Sequence, residues 1–218
     1  MDCFFVNNLD LPNNTRKRKT EFFDKFIDEY FVPADMVCIA GGISEYLDIE
    51  VGFLIRLSKK YPNVFYVHGG CDLKSDIPLD FKFDKISNSF RGIQDRLCIP
   101  TRLDGDSVKT GDISVAGFMG FDMDEDISGW DWWTDVKTEY MSFERGRYMK
   151  IIENSTDRDI MVSYYGPKSM NIDNIFKVWH YGYGNKKEIS ESDGKLLITN
   201  SCNADDTKYS KKDFLIKL

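Results

Sequence analysis

The stretch MVCIAGG (Met36–Gly42) carries most weight in our fold prediction, because an unbroken apolar run ends directly in two glycines. A second stretch of this kind, VFYVHGGCDL (Val64–Leu73), follows it, and the apolar run CFFV (Cys3–Val6) precedes it. Continuous apolar runs of this length indicate strands that are buried on both faces, as in a parallel sheet covered by helices.

Helical patterns separate these runs. Apolar residues recur on one face between Thr15 and Tyr30, and a second helix is predicted over Ser44–Lys60. In a parallel sheet, ligands bind beyond the carboxyl ends of the strands, where consecutive loops meet. We therefore expect three loops to converge: Asn7–Asp10, Gly41–Gly42 and Gly69–Asp72.

The second half of the chain contains further apolar runs and one long helical pattern. The helix is expected after the aromatic stretch GWDWWTD (Gly129–Asp135). Strands of a second sheet are predicted within RLCIPTRL, DISVAGFMGFD, DIMVSYYGP, VWHYGYGN, GKLLITNSCNA and DFLIKL. The economical interpretation is one α/β domain over residues 1–218, a two-sheet sandwich with flanking helices.

Composition excludes several classes of function. The chain has 218 residues, 42% of them hydrophobic, and a formal net charge of −7, which argues against a general binder of nucleic acid or anionic membranes. No apolar run is long enough for a membrane span, and the first residues lack the basic region of a signal peptide. The five cysteines include no C-x-x-C pair, so we expect no zinc ribbon and a reducing, cytoplasmic location.

Six segments that follow the predicted strands carry a resemblance, in this order: NNLD, AGGISE, HGGCD, SYYGP, WHYGYGN and ITNSCN. Together they resemble the calcineurin-like metallophosphoesterase family over nearly the whole chain. That family has Asp-x-His, Gly-Asp, Gly-Asn-His-Glu/Asp, a His before Pro, Gly-His-x-His and, in many members, Asn-Pro-Arg-Gly. The resemblance implies the two-sheet fold of that family, with Gly41, Gly69, Pro167, Gly182 and Asn200 in its framework positions.

The resemblance also implies that most metal ligands of the family are replaced in this chain, which makes it a degenerate member. Asn8 and Asp10 occupy the positions of the family's first Asp and His, and Gly42 occupies the position of the metal-bridging Asp. In the third loop, Gly70 replaces a ligand Asn and Cys71 replaces the general-acid His, with Asp72 adjacent. Later in the chain, Tyr164 replaces a ligand His, and Tyr183 and Asn185 replace the final His pair. All of these residues belong to what we call the degenerate site.

A pair of divalent ions needs a bridging carboxylate and several further anionic or imidazole ligands. This chain offers Asp10 at these positions, with Asp72 beside a replaced ligand, so we expect no catalytic residues, no dinuclear site and no bound cofactor. An alternative is one Mg²⁺, Ca²⁺ or Mn²⁺ held by Asp10 and Asp72, with Asn8 and either Glu45 or His180. These residues are otherwise ordinary polar loop residues.

Two other features suggest chemistry or binding. Cys71 would need a base such as His68 to form a thiolate, but strand alternation predicts that these side chains lie on different faces. Trp130, Trp132 and Trp133 either fill the core or form an exposed patch with an acidic rim, which would suit a basic protein partner.

The sequence therefore predicts a non-catalytic pseudo-phosphoesterase that serves as a binding or regulatory protein for a protein partner. Its composition is compatible with a phage or other viral accessory protein in the host cytoplasm. The alternative is a phosphoesterase hydrolase with a reduced or rearranged metal site. A third idea is nucleotide binding without hydrolysis, through backbone N–H groups of the glycine loops. The sequence leaves the oligomeric state open.

Overall fold

The computed structural model describes residues 1–11, 19–69, 72, 100–103, 105–121, 134–154, 158–184, 186–203 and 209–218. Within these residues there are three α-helices, a short 3-10 helix (Lys211–Phe214) and eleven strands, and the strands form two mixed sheets. The helices are α1 (Lys19–Tyr30), α2 (Leu47–Ser58) and α3 (Thr134–Asn154). The strands are β1 (Asp2–Val6), β2 (Met36–Ala40), β3 (Asn63–Val67), β4 (Thr101–Arg102), β5 (Asp106–Thr110), β6 (Ile113–Phe118), β7 (Ile160–Ser163), β8 (Val178–Tyr181), β9 (Lys187–Ser192), β10 (Lys195–Asn200) and β11 (Leu215–Lys217). None of these helices combines the length and apolar character needed to cross a bilayer.

The first sheet has the strand order β11-β1-β2-β3-β4. The three predicted apolar runs form its centre as parallel neighbours, with Phe5 beside Cys38 and Cys38 beside Phe65. Strand β4 extends the parallel part, and β11 pairs with β1 in the antiparallel direction. Because β1, β2 and β3 run in the same direction, the loops that follow them leave from the same edge of the sheet.

The second sheet has the order β5-β6-β7-β8-β10-β9, with parallel central strands and antiparallel edges. The edge strands β5 and β9 were not predicted from the sequence, because they are polar and partly exposed. The turn between β9 and β10 contains Asp193 and Gly194 with φ of 53° and 70°. An Asp-Gly pair in this conformation is typical of a two-residue hairpin turn, so this hairpin did have a sequence signal.

The hydrophobic core has two parts that share the second sheet. Ile160 and Val162 of β7 face the first sheet, whereas Met161 between them belongs to the cluster under α3. In that second cluster, the ring of Tyr148 from α3 stacks on fully buried Trp179 with ring centroids 6.3 Å apart. The alternation along β7 is that of a strand with apolar layers on both faces. The predicted two-sheet α/β sandwich with flanking helices is confirmed.

Candidate functional site

The loops that follow β1, β2 and β3 meet at one end of the molecule, as the sequence predicted. The backbone N–H of Asn8 donates to the carbonyl of Gly41 at 3.1 Å, and that of Asp10 donates to the carbonyl of Gly42 at 2.8 Å. Asn8 and Asp10 have φ of 49° and 43°, a conformation that Asn and Asp tolerate better than most residues. We call this region the loop junction, which comprises Asn7–Asp10, Gly41–Ser44, His68–Gly69, Asp72, Tyr164 and Gly182–Gly184.

The carboxylate of Asp72 joins the second and third loops of the loop junction. It accepts hydrogen bonds from the backbone N–H groups of four residues, at distances between 2.7 and 3.0 Å: Gly42, Ile43, Ser44 and Gly69. Residues 42–44 precede the helix: α2 begins at Leu47, after Tyr46 in an extended conformation, and not at Ser44 as predicted. Both carboxylate oxygens therefore point into the protein, where they hold backbone in place.

Two further titratable side chains lie beside Asp72. The Nε2 atom of His68 lies 3.0 Å from Oε1 of Glu50, a carboxylate on α2 that is only 2% exposed. Burial raises the pKa of Asp72 to about 6 and the Glu50 carboxylate adds to the shift, whereas His68 and the backbone N–H donors oppose it. Sequence reasoning missed Glu50, because a carboxylate in the first turn of a helix is usually exposed.

A pair of asparagines connects the two sheets behind the loop junction. The side-chain amide of Asn7 donates to the carbonyl of Gly182 at 3.0 Å, and its Oδ1 accepts the backbone N–H of Asn200 at 2.7 Å. The amide of Asn200 in turn donates to the carbonyl of Phe5 at 2.7 Å. Asn200 was expected in the framework, whereas Asn7 was missed because a buried Asn after a strand has no distinctive local pattern.

His180 also lies between the sheets and is fully buried. Its Nε2 atom is 2.9 Å from the carbonyl oxygen of Val6, and its Nδ1 atom is 3.2 Å from that of Ile198. Burial lowers the pKa of His180 to about 4, although both carbonyls favour the protonated form. The ring is therefore neutral at pH 7, and we assign its single N–H to Nε2, which makes the shorter contact. With both ring nitrogens facing backbone carbonyls, His180 has a structural role.

The aromatic ring of Tyr164 lies against three glycines of the loop junction. A side-chain carbon built at Gly69 would lie 2.4 Å from Cδ2 of Tyr164. Carbons built at Gly41 and Gly182 would lie 2.8 and 3.1 Å from the same atom. The ring therefore packs directly on the backbone of loops from both sheets. It stands at a position where the family resemblance implied a histidine ligand.

Two more tyrosines extend this aromatic cluster outwards. The ring of Tyr165 lies 5.0 Å from those of Tyr164 and Tyr183, and the rings of Tyr164 and Tyr183 are 5.9 Å apart. Tyr165 is buried, whereas Tyr183 is 37% exposed and is among the few large apolar side chains of the described residues that reach solvent. The outer surface of the loop junction is therefore partly aromatic.

Asn8 and Asp10 take part in contacts with loops of the second sheet. The amide of Asn8 donates to the carbonyl of Gly184 at 2.9 Å. The carboxylate of exposed Asp10 accepts a hydrogen bond from the side-chain amide of Asn203. Of the two carboxylates that were candidates for a metal ion, Asp10 therefore faces the surface and Asp72 faces the interior.

The side chains present do not fit the pair of divalent ions that the fold family implies. Gly42 has no side chain, Tyr164 packs on glycine backbone, and the oxygens of Asp72 accept backbone N–H groups. A phenol is a poor ligand near neutral pH because its proton leaves with a pKa near 10. Among the residues that the structure describes, no three His, Cys, Asp or Glu side chains form a group that could hold a metal ion.

Several predicted positions lie outside the described residues. These are Gly70, Cys71 and Asn185 of the degenerate site, and the partner-binding candidates Trp130, Trp132 and Trp133. Glu45, the other alternative ligand, is described and lies on the exposed side of the segment that leads into α2.

Comparison with solved structures bears on the fold. Phosphopantetheinyl hydrolase from Mycobacterium tuberculosis superposes with a TM-score of 0.62 and 12% sequence identity, over 93% of this chain and 89% of that chain. This chain has the calcineurin-like phosphoesterase fold. At such low identity the similarity concerns the fold alone.

Two looser superpositions were also found. A novel archaeal phosphodiesterase gives a TM-score of 0.42 and 14% identity over 93% of this chain and 86% of that chain. Vacuolar protein sorting 29 from Cryptosporidium parvum gives a TM-score of 0.36 and 14% identity, over 91% of this chain and 72% of that chain. No protein-family model and no protein with a curated description matches the sequence.

Proposed function

We propose that this protein is a non-catalytic member of the calcineurin-like phosphoesterase fold that binds or regulates another protein. The observation that carries the proposal is the position of Tyr164. Its ring packs on Gly41, Gly69 and Gly182 in the middle of the loop junction, where a hydrolase of this fold needs metal ligands.

The remaining polar groups support the same proposal. Asp72 and His180 direct their polar atoms at backbone groups and so contribute to the fold. Without a bridging carboxylate, two dications 3.5–4 Å apart, the usual spacing of such pairs, would repel one another strongly. The degenerate site therefore lacks the electrostatic basis for activating a water molecule.

The partner that we propose is a protein with a basic surface, in the cytoplasm of the source cell or, for a viral protein, of its host. Tyr183 contributes an exposed aromatic ring and Asp10 an exposed carboxylate to the loop junction, and aromatic residues dominate the energetics of many interfaces. The formal net charge of −7 favours association with a basic partner.

The test is a metal analysis combined with an activity assay. Purified protein, with and without added Mn²⁺, is analysed by mass spectrometry for bound metal and assayed on bis(p-nitrophenyl) phosphate. We expect less than stoichiometric metal and no turnover above that of buffer with Mn²⁺. Mn²⁺-dependent turnover that Asp10→Ala abolishes would overturn the proposal.

A second candidate is a phosphoesterase with a reduced metal site. The observation in its favour is that Asp10 presents an exposed carboxylate on the loop junction, in contact with the side chain of Asn203, which carries an amide oxygen besides the N–H that donates to Asp10. Hard oxygen ligands of this kind suit a single Mg²⁺. Stoichiometric metal that a chelator removes together with activity would favour this candidate over the first.

A further inference from the structure

We infer that the backbone of the loop junction has closed over the position of the bridging ion, so that restoring ligand side chains will not restore a dinuclear metal site. This inference rests on the proposed function. It adds that the position of the backbone, and not only the replacement of ligand side chains, prevents two ions from binding. It concerns Asn8, Gly41, Gly42, Gly69 and Tyr164.

The first step of the argument is the crowding at Gly42. A side-chain carbon built there would lie 2.6 Å from Oδ1 of Asn8, 2.8 Å from its Cα and 3.2 Å from its backbone nitrogen. Rotation of the Asn8 side chain would relieve only the first of these contacts. Gly42 also has φ of 72°, a region that residues with a side chain adopt at a cost. An aspartate at this position therefore meets the backbone of the first loop.

The second step is that the neighbouring loops leave no room for Gly42 to move away. A carbon built at Gly41 would lie 2.7 Å from Cα of Gly69, and one built at Gly69 would lie 2.8 Å from the backbone nitrogen of Gly42. The carboxylate of Asp72 holds Gly42 and Gly69 together through their N–H groups. The second and third loops thus touch through backbone atoms.

The third step is that the second sheet closes the opposite side. A carbon built at Gly182 would lie 1.6 Å from the carbonyl oxygen of Ala40, so the loop after β8 lies directly on the end of β2. The ring of Tyr164 fills the remaining space between Gly41, Gly69 and Gly182. Ions of a dinuclear site need this space for themselves and for a bridging oxygen.

Three of the replaced ligand positions, Asn8, Gly42 and Tyr164, therefore differ in what reversal requires. Asn8→Asp and Tyr164→His substitute side chains of equal or smaller size, and the first gives up one hydrogen bond, to the carbonyl of Gly184, without adding a side-chain atom against the backbone. Gly42→Asp adds a side chain where backbone atoms already lie within 3 Å. We expect the first two changes to be tolerated and the third to disrupt the loop junction.

The experiment compares Gly42 with a glycine of the same conformation and open surroundings. Gly194 has φ of 70°, and among the described residues no atom beyond its chain neighbours lies within 4 Å of a built side-chain carbon. Gly42 has nearly the same φ, 72°, but crowded surroundings. We expect Gly194→Ala to lower the melting temperature by about 2–4 °C, the effect of backbone strain alone in a chain of this size. Gly42→Ala adds crowding and is expected to lower it by about 10 °C or more. Equal shifts for the two variants would overturn the inference.

Mn²⁺ titration followed by electron paramagnetic resonance supplies the second measurement. It is applied to the parent, to Asn8→Asp/Tyr164→His and to the triple variant that also carries Gly42→Asp. We expect no pair of tightly bound ions in any of them. A folded triple variant that binds two Mn²⁺ would overturn this inference and leave the proposed function intact. A parent protein that binds two Mn²⁺ and hydrolyses phosphodiesters would overturn both.

Discussion

The ammonium group of Lys211 lies 2.9 Å from the carbonyl oxygen of Glu29, in the last turn of α1. It also lies 3.2 Å from the carbonyl oxygen of Asp28 and 3.3 Å from that of Phe31. Helix α1 has no basic residue of its own in its last turn. Its unpaired C-terminal carbonyls and the negative end of its dipole are therefore stabilised by a cation from a segment 182 residues away.

Lys211→Met removes this cation and keeps most of the aliphatic side chain. We expect the free energy of unfolding to fall by about 1–2 kcal/mol, since carbonyl groups at the end of α1 lose a charged donor. Chemical denaturation at pH 7 measures the change. Lys212→Met is the matched control, because it removes the same charge from the neighbouring position and is expected to alter stability by less than about 0.5 kcal/mol. Similar losses in both variants would contradict this role of Lys211.

The buried imidazole of His180 makes stability depend on pH in a defined direction. Its pKa is about 4 in the folded protein and near 6.5 when exposed, so the unfolded chain binds the additional proton between these values. The neutral imidazole therefore contributes fully to the free energy of unfolding above pH 6.5. Roughly 3 kcal/mol of this contribution is lost as the pH falls through 4. We expect the stability difference between the parent and His180→Gln to shrink by this amount from pH 7 to pH 4. A difference that is independent of pH would contradict the assignment.

The buried carboxylate of Asp72 has the opposite dependence. Its pKa is raised from 3.8 to about 6, so the folded protein binds this proton more tightly than the unfolded chain. The resulting contribution to the free energy of unfolding is fully present below pH 3.8 and is lost as the pH rises through 6. Asp72→Asn removes one acceptor oxygen from four backbone donors and is expected to cost about 2–4 kcal/mol at pH 7. We expect this cost to grow as the pH falls from 7 to 4, whereas the cost of His180→Gln shrinks. Denaturant titrations of both variants at three pH values separate the two groups.

Gly146 in α3 offers a stabilising substitution. It has no positive φ, and among the described residues no atom beyond its chain neighbours and the backbone of its own helix lies within 4 Å of a built side-chain carbon. Gly146→Ala is therefore expected to raise the free energy of unfolding by about 0.5–1 kcal/mol, because alanine loses less conformational entropy in a helix. Thermal denaturation measures the gain, and Gly194→Ala, at φ of 70°, is the control with the opposite sign. Loss of stability in Gly146→Ala would show that this face of α3 needs the glycine.

Much of the first sheet could be predicted from local pattern. Met36–Ala40 is a strand over the predicted residues because five consecutive buried side chains leave few other structures for the segment. The edge strands β5 and β9 of the second sheet were missed for the converse reason, since their residues are mostly polar and none of them is buried. The convergence of the three loops after β1, β2 and β3 also followed from the predicted parallel arrangement of these strands.

Most contacts that define the loop junction could not be predicted, because they join residues far apart in the chain. The polar partners of His180 and Asn7 lie 174 and 175 residues away, and no local pattern indicates them. No local pattern indicates the partner of Glu144 in α3 either. This carboxylate is fully buried and accepts the backbone N–H of Gly120 at 2.8 Å. A local pattern indicates which side chains are apolar and in what period, but it contains no information on which polar atoms meet after folding.

The sequence by itself determined the two-sheet architecture, because apolar periodicity is a property of the linear chain. The replacement of metal ligands stays a prediction from the family resemblance, which rests on side-chain identity alone. The tertiary structure alone decided that Asp72 bonds backbone N–H groups, that Tyr164 covers three glycines and that Gly42 lies against Asn8. The first and third facts depend on how the loops of the first sheet meet, and the second also needs the second sheet packed against the first. None of these distances is a property of the linear chain.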